Sequence, residues 1–324
     1  AYGQIRKRYF YNVHDVAAYL KPGRNCIALW MAPGWHQPTY GYSGTPPVRG
    51  QLELRMQKGT LTVATDKSWK VRNSCISQIG KWHWNDFGGE QWDAGAFIKD
   101  WNLPGYDDEA WSAAKEIRDP GAVCSWQAVP GSKHSSPINP QQIYRHHDKW
   151  VIDFGTTLTG WLRLKMSGLK PGQQIEIEYA DLDAERKLLA YKPSLNKDGF
   201  QTFNQRDRYI AGTEPEDTFS SKFSRHGFRY AVVSGLPKKP ELSDAEAMMV
   251  MTDLSEVGRF ECSNELFTRM HQVTLNTSRS QVPEGVLGGG EPREHEGYGD
   301  GGSFLTGFLY QFGSDSLYTK WIRD

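Results

Sequence analysis

Four carboxylates stand close together in one glycine-rich stretch near the end of the chain. The stretch reads GGGEPREHEGYGDGGSF from Gly288 to Phe304, and it contains Glu291, Glu294, Glu296 and Asp300. Like charges this close in sequence raise one another's pKa, and a carboxyl group that keeps its proton near neutral pH can act as a general acid. The stretch is therefore a candidate for acid and base chemistry.

Other kinds of site fit this acidic stretch less well. Its GYGDGG segment matches GxGxxG, but no strand precedes it and carboxylates would repel a pyrophosphate. His295 lacks a second histidine four positions later, where Gly299 stands, so the zinc-protease pattern is missing. A calcium site built from Glu291, Glu296 and Asp300 is chemically reasonable, although the spacing is not that of an EF-hand.

Acid–base chemistry on a neutral polymer remains, and glycoside hydrolysis is the clearest example. That reaction uses one protonated carboxyl group and one carboxylate that directs water or attacks. The competing interpretation is a solvated acidic loop whose glycines only make turns. The clustering of the carboxylates favours a function.

The composition points to a neutral partner. The 324 residues include 38 Lys and Arg against 38 Asp and Glu, so the formal net charge is +0 and neither a nucleic-acid partner nor an anionic membrane is expected. No apolar run approaches the roughly 20 residues that cross a bilayer. The 12 tryptophans suit sugar rings as well as protein cores.

The four cysteines carry no metal-binding or disulfide pattern. Cys26, Cys75, Cys124 and Cys262 lack CxxC spacing, and we expect four free buried thiols, with a Cys26–Cys75 bridge as the alternative. The chain opens without methionine in a strand-like run and stops inside an amphipathic pattern. These features indicate an interior or processed piece of a longer polypeptide.

The hydrophobic pattern predicts a mainly β chain that ends in helices. We expect two tandem antiparallel β-sandwich, jelly-roll-like domains over residues 1–125 and 126–255, because QLELRM, WLRLKM and QIEIEY alternate with period two. A truncated helical domain is expected over residues 256–324. Ser263 is the predicted cap of its first helix, and Ser303 of its second. The apolar face predicted for the first helix comprises Leu266, Phe267, Met270 and Val273.

A tract between residues 82 and 111 carries five tryptophans in a loop-rich context. One interpretation is that these rings anchor a long loop on the first sandwich. The other is a sugar-stacking platform that presents Trp82, Trp84 and Trp92. The Gly, Asp and Pro residues that punctuate the tract favour the first interpretation.

Several segments, taken in order, resemble one family. They are VHDVAAYLKPGRNCIALWMAPGW, WDAGAFIKDWNLPGYDDEAW, IDFGTTLTGWLRLKMSGLKPGQQIEIEYADL, FSRHGFRYAVVSGL and GRFECSNELFTRM. Together they resemble the α-L-rhamnosidases of glycoside hydrolase family 78, although Gly95 stands where that family usually has arginine. The resemblance implies that the terminal helices begin an (α/α)6 catalytic barrel.

The resemblance also implies roles within the acidic stretch. Alignment on Gly297 and the aromatic residue after it places Glu294 on the general acid of the family. Tyr298 then falls on the aromatic residue that lines the sugar pocket, and Asp300 on an aspartate that contacts the sugar. Arg293 falls on or next to the family's loop arginine.

One departure concerns the aspartate that leads the family's loop and binds sugar. Glycine occupies that position here, and Glu291 replaces the aspartate only if the loop shifts. The family inverts configuration at terminal α-L-rhamnosides of an oligo- or polysaccharide without a cofactor, with a base expected beyond Asp324. Its substrates favour a periplasmic or secreted location. The alternative function is a non-catalytic carbohydrate-binding β-sandwich assembly.

Overall fold

A computed structural model describes most of the chain, namely residues 8–34, 47–81, 86–117, 121–181, 197, 200, 202–283, 285, 301–302 and 305–323. Within these ranges sixteen strands have defined bounds. They are β1 Arg8–Tyr11, β2 Gln51–Met56, β3 Gly59–Ala64, β4 Lys70–Val71, β5 Ile76–Ile79, β6 Gly89–Asp93, β7 Ser112–Ala113, β8 Val123–Trp126, β9 Ser132–His134, β10 Gln142–His146, β11 Lys149–Ser167, β12 Gln174–Ala180, β13 Arg206–Ile210, β14 Glu216–Ser220, β15 His226–Ser234 and β16 Ala245–Thr252.

Ten of these strands form one large sheet. Its main order is β5-β6-β13-β12-β15-β11-β16-β9, and β10 and β14 also pair with β11. Neighbouring strands in this sheet run antiparallel except β6 and β13, which are parallel. Three two-stranded sheets, β1-β8, β2-β3 and β4-β7, lie outside it. The mainly β prediction is confirmed.

The long strand β11 organises the large sheet. Its first part pairs with β10 and β15, and its last part pairs with β14 and β16. The register against β15 shifts between Asp153 and Leu158, and Gly155 takes a φ of 75° within that shift. A bulge of this kind bends a strand. The bend allows β11 to pair with different strands in its first and last parts.

The main apolar core lies against this sheet and draws on strands β10 to β16. Period-two alternation places the apolar side chains of each strand on the core face, and burial of one such side chain contributes roughly 1.5–3 kcal/mol. Fully buried members include Ile152, Leu162, Leu164, Ile177, Phe219 and Phe228.

Two strands from the predicted first domain belong to the large sheet. β5 pairs with β6, and β6 pairs in parallel with β13, where Trp92 lies opposite Tyr209. These strands therefore precede the predicted boundary at residue 125 but extend the sheet that follows it. The domain boundaries at 125 and 255 stay predictions.

Three α-helices with defined bounds follow the sheet: α1 Glu265–Ser280, α2 Leu305–Gln311 and α3 Asp315–Arg323. The predicted cap of α1 is wrong by one residue. Asn264 caps the helix instead of Ser263, because its side-chain oxygen accepts a hydrogen bond from the backbone N–H of Leu266 at 3.0 Å. The predicted cap of the second helix, Ser303, lies outside the described residues.

The helices share a second apolar cluster with the segment that precedes β9. Its buried members are Val129, Leu275, Val282, Phe308, Phe312, Leu317 and Tyr318. The apolar face predicted for α1 points elsewhere. Its members Leu266, Phe267, Met270 and Val273 are 53–62% exposed.

All four cysteines are free, so the expectation of unpaired thiols is confirmed. The expectation of burial is wrong, because Cys26, Cys124 and Cys262 are exposed and Cys75 is half-buried. Among the described residues, no helix combines the length and the apolar character needed to span a membrane.

Candidate functional site

The predicted site residues lie outside the part of the chain that the structure describes. Glu291, Arg293, Glu294, Tyr298 and Asp300 all fall between residues 286 and 300. Their roles stay predictions, and so does the alternative calcium site. The described residues show instead how the chain is held on each side of this stretch.

The chain is tied to the large sheet just before the acidic stretch. The hydroxyl of Thr252, the last residue of β16, donates a hydrogen bond to the carbonyl oxygen of Val282 at 2.6 Å. The same hydroxyl accepts one from the backbone N–H of Gly285 at 2.7 Å. On the neighbouring strand, the hydroxyl of Ser132 donates to the carbonyl oxygen of Pro283 at 2.7 Å.

The chain contacts the helices just after Asp300, the last carboxylate of the acidic stretch. The phenol oxygen of Tyr318, on α3, lies 3.5 Å from the carbonyl oxygen of Gly301. Burial raises the pKa of Tyr318 to about 12, so the phenol stays protonated at neutral pH and donates this hydrogen bond. Val282 and Tyr318 both belong to the apolar cluster of the helices. The described residues on the two sides of the carboxylates, Val282 and Gly301, thus both contact this cluster.

A buried polar cluster, which the sequence interpretation missed, lies within the large sheet. Oδ2 of Asp207, a fully buried residue of β13, accepts hydrogen bonds from the phenol of Tyr179 at 2.8 Å and the hydroxyl of Ser221 at 2.6 Å. Nε2 of His226 lies 3.1 Å from the same oxygen. The imidazole stacks on the ring of Tyr179 with ring centres 4.0 Å apart.

This buried cluster contains serine, histidine and aspartate but not the geometry of a catalytic triad. A triad needs the hydroxyl to bond to the imidazole, whereas Ser221 bonds to Asp207. Ser221 is 5% exposed and His226 3% exposed, which leaves no room for a substrate. The cluster therefore joins strands and does no chemistry.

Glu90, on β6, extends the same cluster. Its backbone N–H donates to Oδ1 of Asp207 at 2.9 Å, and its carboxylate accepts three hydrogen bonds from the consecutive backbone N–H groups of Lys222, Phe223 and Ser224 at 2.8–3.1 Å. Burial and the charge of Asp207 raise the pKa of Glu90. One carboxylate thus fixes the turn between β14 and β15.

A signal for the cluster was present in the sequence. In RDRYI, period-two alternation puts Asp207 on the same face as Tyr209, which is the buried face. An aspartate in phase with core residues needs buried donors. Its donors come from other strands, and local pattern does not identify them.

The tryptophan tract packs against the protein. The ring of Trp30 makes edge contacts with those of Trp92, Trp101 and Phe223, at centre distances of 5.7–6.2 Å. Trp92 also packs on the main core, and Trp101 stacks on Trp111. These contacts support the interpretation that the rings anchor the loop. Trp82 and Trp84 of the predicted sugar platform lie outside the described residues.

Fold and chain order define a multidomain β protein in which a large curled sheet is followed by packed helices. Residues 1–135 match the family model of the α-L-rhamnosidase N-terminal domain, and residues 144–251 match that of the bacterial α-L-rhamnosidase concanavalin-like domain. The chain belongs to the α-L-rhamnosidase family.

Curated relatives carry the same family name. One α-L-rhamnosidase from Formosa agariphila is 30% identical and aligns with 98% of this chain and 34% of its own length. Another, from Streptomyces avermitilis, is 26% identical and aligns with 98% of this chain and 31% of its own length. The chain thus spans about a third of the length of these relatives.

Solved structures have the same fold. An α-L-rhamnosidase from Dictyoglumus thermophilum superposes with a TM-score of 0.83 at 26% identity, covering 98% of this chain and 35% of that protein. The Streptomyces avermitilis α-L-rhamnosidase, solved in complex with L-rhamnose, gives 0.79 at 22% identity, covering 98% and 31%. The expected order of β regions before helices is therefore found in solved α-L-rhamnosidases.

Proposed function

We propose that this chain is part of an α-L-rhamnosidase that hydrolyses terminal α-L-rhamnosidic bonds of a rhamnose-containing oligo- or polysaccharide, with inversion at the anomeric carbon. The observation that carries this proposal is the match to proteins named α-L-rhamnosidase along 98% of the chain. The zero formal net charge agrees with a neutral substrate.

In this proposal Glu294 is the general acid. Glu291, Glu296 and Asp300 surround it in sequence and would raise its pKa, so that it holds the proton needed by the departing sugar oxygen. Arg293, together with Tyr298, Asp300 and Glu291, binds the sugar. Two carboxyl groups suffice for the reaction, so no cofactor is required.

The second carboxyl group is proposed to lie on a barrel loop beyond residue 324. An inverting enzyme needs this base roughly 6.5–9.5 Å from the acid, with room for one water between them. The outward apolar side chains of α1, such as Leu266 and Val273, support this part of the proposal. They offer a surface on which further barrel helices pack.

The test is made in the complete polypeptide that contains this chain. We expect Glu294→Gln to lower kcat on an alkyl α-L-rhamnoside by about 10³-fold, since general acid catalysis is typically worth 10²–10⁴. The loss on a nitrophenyl rhamnoside is expected to be much smaller, because that leaving group needs less protonation. Glu265→Gln, the same change at an exposed position in the first turn of α1, is the matched control and keeps full activity.

Two results would contradict the proposal. Normal turnover of the alkyl rhamnoside by Glu294→Gln would remove Glu294 as the acid, and an NMR spectrum with retained configuration in the first-formed sugar would exclude inversion. A complete polypeptide that binds rhamnose polymers saturably yet releases no rhamnose would instead establish the carbohydrate-binding alternative.

A further inference from the structure

We propose that Thr252, with Ser132 beside it, positions the acidic stretch for catalysis by fixing the chain where that stretch begins. The inference rests on the proposed function, since Glu294 is the group that benefits. Both residues belong to the large sheet, so the sheet takes a direct part in arranging the active site.

Thr252 holds the chain through three hydrogen bonds. Its hydroxyl bridges the carbonyl oxygen of Val282 and the N–H of Gly285, and its backbone N–H donates to the same carbonyl oxygen at 2.8 Å. Thr252 is 4% exposed, so water does not replace these partners. Gly285 has a φ of 70°, a conformation that glycine adopts without strain.

Ser132 strengthens the same attachment from the next strand. It lies directly opposite Thr252 in the pairing of β9 with β16, and its hydroxyl binds the carbonyl oxygen of Pro283. Two adjacent strands thus hold backbone groups of three residues, Val282, Pro283 and Gly285. Ser132 thus adds Pro283 to the two residues that Thr252 already holds.

Placement of the chain before the acidic stretch matters because three consecutive glycines follow in the sequence. Gly288, Gly289 and Gly290 separate the attachment from the first carboxylate, and glycines impose little backbone restriction. A displacement of about 1 Å in a catalytic group can cost roughly 10²-fold in rate. The hydrogen bond from Tyr318 to the carbonyl oxygen of Gly301 restrains the opposite end.

Thr252→Val tests the inference in the complete polypeptide. Valine keeps the shape of threonine but leaves the buried N–H of Gly285 without an acceptor. We expect kcat on an alkyl rhamnoside to fall about 10-fold or more, and kcat on a nitrophenyl rhamnoside to fall less than about 3-fold, because only the first leaving group depends strongly on the acid. KM is expected to rise for both substrates, since the sugar-binding residues belong to the same stretch. Thr252→Ser, which retains the hydroxyl, restores the kcat of the unchanged protein.

The outcomes separate this inference from the proposed function. If Glu294→Gln is inactive while Thr252→Val is fully active, the positioning role is wrong and the proposed function stands. If Thr252→Val loses the same factor on both substrates, its role is structural and the inference is overturned. If Glu294→Gln is fully active, Glu294 is not the general acid, and the inference is overturned together with that part of the proposed function.

A second variant keeps the test valid should Thr252→Val not fold. Ser132→Ala removes only the hydrogen bond to Pro283 and is expected to lower kcat on the alkyl rhamnoside about 3-fold, with the same dependence on leaving group. Equal losses on both substrates would count against the inference here too.

Discussion

Nε2 of His226 lies 3.1 Å from Oδ2 of Asp207, and both side chains are buried between strands of one sheet. This contact is the centre of a polar cluster. Glu90, on β6, belongs to the same cluster because its backbone N–H donates a hydrogen bond to Asp207. The cluster explains how distant parts of the chain are held in one sheet, and its stability can be tested.

Asp207→Asn is expected to lower the free energy of unfolding of this chain by about 3 kcal/mol at pH 7. Oδ1 of Asp207 accepts a hydrogen bond from the backbone N–H of Glu90, and Oδ2 accepts hydrogen bonds from two hydroxyl groups. In asparagine one of these oxygens becomes an NH₂ group, which would face a hydrogen-bond donor. Urea unfolding followed by tryptophan fluorescence measures the loss. Asp148→Asn, the same change at an exposed position, is the control and changes the value by less than about 0.5 kcal/mol.

The loss caused by Asp207→Asn depends on pH in a defined direction. Burial would raise the pKa of Asp207, but His226 and the hydrogen bonds outweigh it and hold the pKa below its ordinary value of 3.8. The stability that Asp207 contributes is therefore complete above about pH 5 and is lost as the pH falls through the lowered pKa. A loss that grows toward low pH would contradict this assignment.

Glu90→Gln is expected to behave in the opposite sense. Burial raises the pKa of Glu90 above 4.5, so the folded chain binds this proton more tightly than the unfolded chain does. The advantage of the native protein over Glu90→Gln is then largest below pH 4.5 and decreases as the pH rises through the raised pKa. Unfolding free energies at pH 4 and pH 7 measure the trend, and an advantage that increases with pH would refute it.

Gly160→Ala is expected to destabilise the chain by about 3 kcal/mol. A Cβ at this position in β11 would lie 1.8 Å from the carbonyl oxygen of Met248 on β16, and backbone atoms cannot move aside as a flexible side chain does. Gly131→Ala provides the control, since nothing lies within 4 Å of its added Cβ. Thermal unfolding of the two variants checks the difference, and equal transition temperatures would show that β16 yields without cost.

Local periodicity predicted strands where apolar and polar residues alternate. QLELRM, predicted from its alternation, forms β2 over Gln51–Met56, and the helical spacing after residue 263 predicts α1. Both signals come from neighbours in sequence whose side chains share a face. The pattern does not say what covers that face. The exposure of the apolar side of α1 could therefore not be predicted from it.

Pairing between distant segments had no such local signal. β6 joins β13 because backbone groups more than 100 residues apart meet, and neither segment encodes its partner in its own alternation. The buried donors of Asp207 were missed for the same reason. For the candidate site, residue types and family resemblance supplied the whole prediction, and the described residues contribute the attachments on either side of it.

The parallel pairing of β6 with β13 limits how this protein can be divided into separately expressed fragments. It joins Gln91, Trp92 and Asp93 to Arg208, Tyr209 and Ile210. A fragment that begins at residue 126 would lack β6 and leave one edge of β13 unpaired. Unpaired strand edges pair with strands of other molecules. A fragment designed to stay monomeric therefore has to begin before Ile76, so that it includes β5 and β6.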